Sequence, residues 1–135
     1  MGVGNVAAPI DIAISGLRAE SLRMKVIANN IANSQTTRTA TGQPYRRQSV
    51  VLSTDGAGLT GVKIEGVRPD LADGFKLIYL PQHPDADAQG MVRMPNVDLP
   101  AEMMDMVVAS RAYQANAAIL KRYQDMVEAT LELLR

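Results

Sequence analysis

Residues 98–135 read DLPAEMMDMVVASRAYQANAAILKRYQDMVEATLELLR, with no Gly or Pro after Pro100. Taken at alternating steps of four and three, Leu99, Met103, Met106, Ser110, Tyr113, Ala117, Leu120, Gln124, Val127, Leu131 and Leu134 share one face of a helix and are nearly all apolar. A second row, Ala109, Ala112, Ile119, Tyr123, Met126 and Leu133, runs beside it and makes the stripe wide enough for more than one neighbour. Asp98 suits the N-cap, Pro100 the first turn, and Glu102 and Asp105 the positive end of the helix dipole. A helix of about 36 residues is a rod of roughly 54 Å, far longer than a domain of this size is wide.

Working outward, the other stretch free of Gly and Pro is Leu17 to Thr41. The predicted helix runs from about Pro9 to Asn33, with Pro9 tolerated in the first turn. Ile10, Leu17, Met24 and Ile31 recur every seven positions, and Ile14, Ser21 and Ala28 fall between them at the offset of four. That is an a/d pattern of about three heptads, the shortest that reads as a coiled-coil seam. Gly16 inside it costs roughly 1 kcal/mol against Ala and points to a close backbone approach. Asn29, Asn30 and Asn33 have two readings: helix-ending residues that tolerate a left-handed conformation, or amides bonding backbone and partner groups at a junction between subunits.

Between the helices, Gln48–Ser53, Val62–Val67 and Phe75–Leu80 are β-rich runs separated by the turn signals Asp55-Gly56, Arg68-Pro69-Asp70 and Asp73-Gly74. Residues 82–95 read as a polar loop. The predicted architecture is mainly α with a small antiparallel β insert, and long N- and C-terminal helices forming a coiled-coil-like axial core. Its parts are residues 1–40 (helix and following loop), 41–96 (β region and polar loop) and 97–135 (second helix). The first helix is shorter than the second by about ten residues, so their pairing leaves apolar surface uncovered, and such surface marks association sites.

Composition narrows the function. Fourteen basic and fourteen acidic residues in 135 cancel, whereas nucleic-acid binding normally shows as a basic excess. No apolar run approaches the ~18 residues of a membrane span, so no membrane insertion is expected. Met1–Asn5 shows no positive, apolar signal-peptide pattern. There is no Cys, no Trp and one Phe, against eight Met. Met103, Met104 and Met106 are core filler or, better in a chain with so much uncovered helix, an adaptable contact surface.

Catalytic and ligand readings find little to build on. His83, the single histidine, sits in a loop, Pro81-Gln-His-Pro84, without apolar shielding. Asp85 to Gly90 resembles the opening of a calcium loop, but the twelfth position is Asn96 where a bidentate Glu is needed. Gly56, Gly58 and Gly61 read as a hairpin turn, and Tyr113 and Tyr123 as packing residues. No catalytic residue, metal site or cofactor is assigned.

Ala28-Asn-Asn-Ile-Ala-Asn33, preceded by Ser15-Gly-Leu-Arg-Ala19, resembles the flagellar axial protein family. Thr36-Thr-Arg-Thr39 and Pro44-Tyr-Arg-Arg47 are more similar to its proximal-rod branch than to distal-rod or hook proteins. The loop and second helix agree: Val92-Arg-Met-Pro-Asn-Val-Asp98, Glu102-Met-Met-Asp-Met106 and Ser110-Arg-Ala-Tyr-Gln-Ala-Asn116. Gln43 and Met91 depart from the usual Gly and Tyr. The resemblance implies a non-enzymatic subunit of the basal-body rod, the periplasm-spanning tube that transmits torque to the hook. It also implies partners among copies of itself and other rod proteins, and passage through the flagellar type III export apparatus without a cleaved signal peptide. The expected assembly interface comprises Ile10, Ile14, Leu17, Met24, Ala28, Asn29, Asn30, Ile31 and Asn33 on the first helix. On the second it comprises Met103, Met106, Tyr113, Asn116, Leu120, Val127 and Leu131. The rival is a cytoplasmic helical adaptor or export chaperone, which needs neither the β insert nor a journey outside.

Overall fold

The computed structural model of the chain describes residues 8–54 and 56–135; the Met1–Asn5 reading and Asp55 of the Asp55-Gly56 turn lie outside them. Helix α1 spans Ala8–Ala32 and helix α2 spans Leu99–Leu133, 25 and 35 residues. The expected difference of about ten is therefore met. Both helices begin where the sequence places them. Asp98 occupies the N-cap of α2 with an extended backbone, but its side chain makes no capping bond; its carbonyl accepts from Glu102 N at 3.0 Å. At the end of α1 no left-handed residue appears, since no described non-glycine residue has a positive φ. Asn33 closes the helix instead by donating from Nδ2 to Asn29 O at 2.9 Å.

Four strands follow α1: β1 Gln48–Thr54, β2 Val62–Pro69, β3 Lys76–Tyr79 and β4 Met91–Met94. They form two separate two-stranded antiparallel sheets, β1–β2 and β3–β4. The expected single insert is thus two hairpins, and β4 lies in the stretch read as polar loop. It is only four residues long and flanked by Gly90 and Pro95, so alternation has no room to register. Its inward residues, Val92 and Met94, are nevertheless buried. In β1–β2 the register shifts between Val51, opposite Gly66, and Leu52, opposite Ile64, leaving Glu65 as an extra residue. Gly66 takes φ +142° at this bulge, a conformation that L side chains rarely adopt.

α1 is the centre of the molecule. One side lies along α2 and another along the β1–β2 hairpin. Ser15 Oγ ties the hairpin on, accepting from Val62 N at 3.0 Å while donating to Ile12 O at 2.7 Å. α1 and α2 run antiparallel: Asn30 meets Glu102, and Gly16 lies against Asn116.

Candidate functional site

The side chains that pack α1 on α2 come mostly from a different row than the heptads predict. On α1, Ala13, Ala19, Val26, Ile27 and Asn30 are buried; on α2, only Glu102 and Ala109 are. Asp105, Met106, Ala112, Asn116, Leu120 and Tyr123 continue that α2 row half-buried. On α1, Ala13, Ile27 and Asn30 stand one residue before the expected seam; on α2, Glu102, Asp105, Ala109, Ala112, Asn116 and Tyr123 do so, while Met106 and Leu120 belong to the seam itself. At Gly16 the two helices lie close, since an added Cβ would sit 2.8 Å from Asn116 Nδ2, and glycine permits such an approach.

Several of the larger apolar side chains lie half-buried or exposed beside these rows. Ile10, Ile14, Leu17, Met24 and Ile31 are half-buried and Ala28 is exposed. On α2, Met103 is 58% exposed and Leu131 59%, with Tyr113 and Val127 at 38%; Met106, Asn116 and Leu120 are half-buried. Leu17, Ser21, Leu22 and Tyr113, with Arg18 and Lys25 at the rim, line an open groove of ≈ 370 Å³. Counting back from the Gly16–Asn116 contact at one residue per residue, the first described turn of α1 reaches about Gln124. From Asp125 to Leu133 α2 runs on for roughly 13 Å, and Met126, Val127, Leu131 and Leu133 are exposed there.

At the opposite end of the helix pair sits a buried polar junction that the sequence reading did not foresee. Glu102, expected at the positive end of the dipole, is 1% exposed. Arg47 Nε donates to its Oε1, and Asn30 Nδ2 to its Oε2 at 3.2 Å. Asn30 is fully buried and all its hydrogen-bonding positions are used. Its Nδ2 also donates to Gln48 O at 2.8 Å, and its Oδ1 accepts from Tyr45 OH at 2.8 Å and from Gln48 N at 3.0 Å. Asn29 Nδ2 donates to the Tyr45 hydroxyl at 3.0 Å. The Asn29–Asn30 pair thus bonds backbone and side-chain groups within the chain, and Asn33 bonds Asn29 and Thr36.

Arg47 spans three carboxylates: Glu102, Asp70 at 3.4 Å and Asp105 at 3.7 Å. Burial opposes its charge, but the hydrogen bond and charge of Glu102, helped by Asp70 and Asp105, more than reverse this and hold its pKa above the ordinary value. Its backbone N donates to Asn96 Oδ1 at 2.8 Å, and Asn96 Nδ2 reaches the carbonyls of Asp70 and Asp73. Burial also pushes the Tyr45 phenol above its ordinary 10.0; the Asn29 amide works against this and the Glu102 carboxylate with it. With Asn30 and Glu102 satisfied by these partners, the junction ties α1, α2 and the start of β1 together.

The remaining candidates are structural too. Asp85 accepts from Thr37 Oγ1 at 2.7 Å and pairs with Arg38 at 2.9 Å. Asp87 Oδ1 accepts from the backbone of Gln89 and Met91, closing a turn. His83 Nδ1 accepts from Asp85 N. Among the described residues no helix is long and apolar enough to cross a membrane.

Comparison with known proteins agrees with this division into two helical ends. A family described as "Flagella basal body rod protein" matches residues 10–38, and one described as "Flagellar basal body rod FlgEFG protein C-terminal" matches residues 88–133. Relatives named flagellar basal-body rod protein FlgC include one from Escherichia coli O6:H1, 44% identical over 126 residues, covering 91% of this chain and 93% of the relative. Another, from Borreliella burgdorferi, is 38% identical over 147 residues, covering 93% and 95%. A third, from Bacillus subtilis, is 35% identical over 143 residues, covering 92% and 95%.

Proposed function

The chain belongs to the FlgC family of flagellar basal-body rod proteins, structural components rather than enzymes, and from that premise we propose that it builds the rod by polymerising through the open flanks of α1 and α2. The observation that carries the reading is the apolar surface left open on the helix pair: Met103, Tyr113, Val127 and Leu131 are exposed on α2, and Ile10, Ile14, Leu17, Met24 and Ile31 are only half-buried on α1. Apolar surface contributes roughly 25 cal/mol per Å² when removed from water, so copies that bring these rows together gain what a lone copy leaves unused. In the assembled tube the two rows form the coiled-coil-like axial core, with residues 41–96 disposed around it. Its neighbours are further copies and other rod proteins. The rod places it in the periplasm, reached through the flagellar type III export apparatus without a cleaved signal peptide.

The interface comprises Ile10, Ile14, Leu17, Met24, Ala28 and Ile31 with Met103, Met106, Tyr113, Val127 and Leu131. Asn30 acts indirectly, by fixing the end of α1 on α2. Leu131→Asp tests the reading, because Leu131 touches no inward row. The purified variant should melt like the parent chain and yet be missing from isolated basal bodies, in cells that do not swim. Normal rods in that strain would remove the open face of α2 from the mechanism. A cytoplasmic adaptor, the other reading, would be absent from detergent-washed basal bodies even without mutation.

A further inference from the structure

Two open surfaces of the helix pair match each other in length, spacing and charge, and we propose that the last turns of α2, from Asp125, dock head to tail on the α1 flank of a second copy. This rests on the rod reading above and adds which surface meets which.

The acceptor is the groove walled by Leu17, Ser21, Leu22 and Tyr113, whose rim carries Arg18 and Lys25. Neither cation makes an ion pair among the described residues. They stand seven residues apart, about 10.5 Å along the helix. The donor carries three carboxylates, Asp125, Glu128 and Glu132, ahead of a single cation at Arg135. These acids are exposed and likewise unpaired among the described residues. Asp125 and Glu132 repeat the seven-residue separation. The apolar spacing matches at the ends of the contact: Leu17 and Met24 stand seven residues apart, as do Val127 and Leu134, and the small Ser21 stands where room is left for Leu131. Apolar contact supplies affinity, and the acid and base edges set register and exclude wrong neighbours.

A chain cannot make this contact with itself. With Gly16 against Asn116 in an antiparallel pair, Ser21 lies opposite about residue 111, and Leu131 is roughly 30 Å further along the axis. Donor and acceptor are different patches, so the contact is heterologous and leaves a free end for the next copy.

The chain has no Cys, so an engineered pair reports alone. Basal bodies are isolated from cells producing the Ser21→Cys/Leu131→Cys chain, oxidised, and run on a non-reducing gel. Bridging needs Cα atoms within about 7 Å, and the proposed contact gives a ladder of dimers, trimers and higher multimers. Adding Glu128→Lys/Glu132→Lys should weaken the ladder about tenfold through like-charge contact, and adding Arg18→Glu/Lys25→Glu to that variant should restore it. Rods that contain the cysteine chain in normal amount but give no bridge, or dimers only, overturn the docking and leave the rod reading standing. A ladder indifferent to charge reversal overturns the register. If the unmutated chain is itself absent from basal bodies, the rod reading falls first.

Discussion

Glu102 shows how much one residue can carry. It is buried to 1% exposure at the first turn of α2, and a carboxylate there is stable only while Arg47 and Asn30 hold it. Removing one partner of a buried pair costs about 3–5 kcal/mol. Because Arg47 is partly exposed and Asn30 stays in place, Arg47→Ala should lower unfolding free energy by about 3 kcal/mol in urea titrations. A loss below about 1 kcal/mol would mean that Glu102 is solvated. Tyr45 gives the junction a pH dependence. Its phenol is raised above 10.0 in the folded chain, so folding binds that proton more tightly than the unfolded state does. The resulting stability is complete below pH 10 and fades as pH rises through the folded value. Melting temperatures of the parent chain should therefore fall above pH ~10 more steeply than those of Tyr45→Phe; parallel curves would place the titration elsewhere. Gly16 supplies the third residue-scale case. Gly16→Ala gains about 1 kcal/mol of helix propensity but crowds Asn116, an overpacking worth about 1–3 kcal/mol. Gly16→Ala should destabilise the parent chain and stabilise the Asn116→Ala background, a sign change that thermal melts of the four chains would reveal.

Among the elements, α2 is two helices in series by environment. From Glu102 to Tyr123 one side is covered by α1; from Asp125 onward every side chain is exposed. Helical stability in proteins comes mostly from packing of an apolar face. In the free chain, amides of the last two turns should exchange orders of magnitude faster than those near Ala109, and equal protection along α2 would show that something covers its end. Leu120 and Leu131 separate the two environments. Leu120→Asp places a charge in the row facing α1 and should lower stability by about 2–4 kcal/mol, whereas Leu131→Asp should leave the melting curve in place and abolish only incorporation.

Across the whole molecule, Gly16 lets α1 and α2 approach at Asn116, Ala13 and Ala109 are buried, and the sheet packs on another side of α1. Once those faces are used, a compact arrangement of 135 residues cannot also enclose a rod-like helix of roughly 52 Å. On the rod reading proposed above, that uncovered length is what other copies bury. Charge is balanced overall, yet separated locally into Arg18 and Lys25 on one surface and Asp125, Glu128 and Glu132 on another. Such patterns sharpen selectivity and weaken with salt, so a rod interface of this kind should loosen first at its charged edges.

Local chemistry was enough to place both helices, their lengths, their Pro-marked starts and three of the four strands. It was also enough to recognise the family, because these features are written in residues that are near one another in the chain. Periodicity identified the apolar rows but not their use. Counting apolar residues favours the greasiest row as a seam, whereas the α2 side chains that are buried or half-buried mix Glu102, Asp105, Ala109, Ala112, Asn116 and Tyr123 with Met106 and Leu120. Only the tertiary structure decides which side chains are covered. The Glu102 junction was hidden for a related reason: Asn30, Tyr45, Arg47, Asn96 and Glu102 are brought together across 72 residues of sequence separation, and no spacing rule links residues whose neighbourhood exists only after folding. β4 was missed because four residues between Gly90 and Pro95 are too few to show a period, and it is their pairing with β3 that makes them a strand.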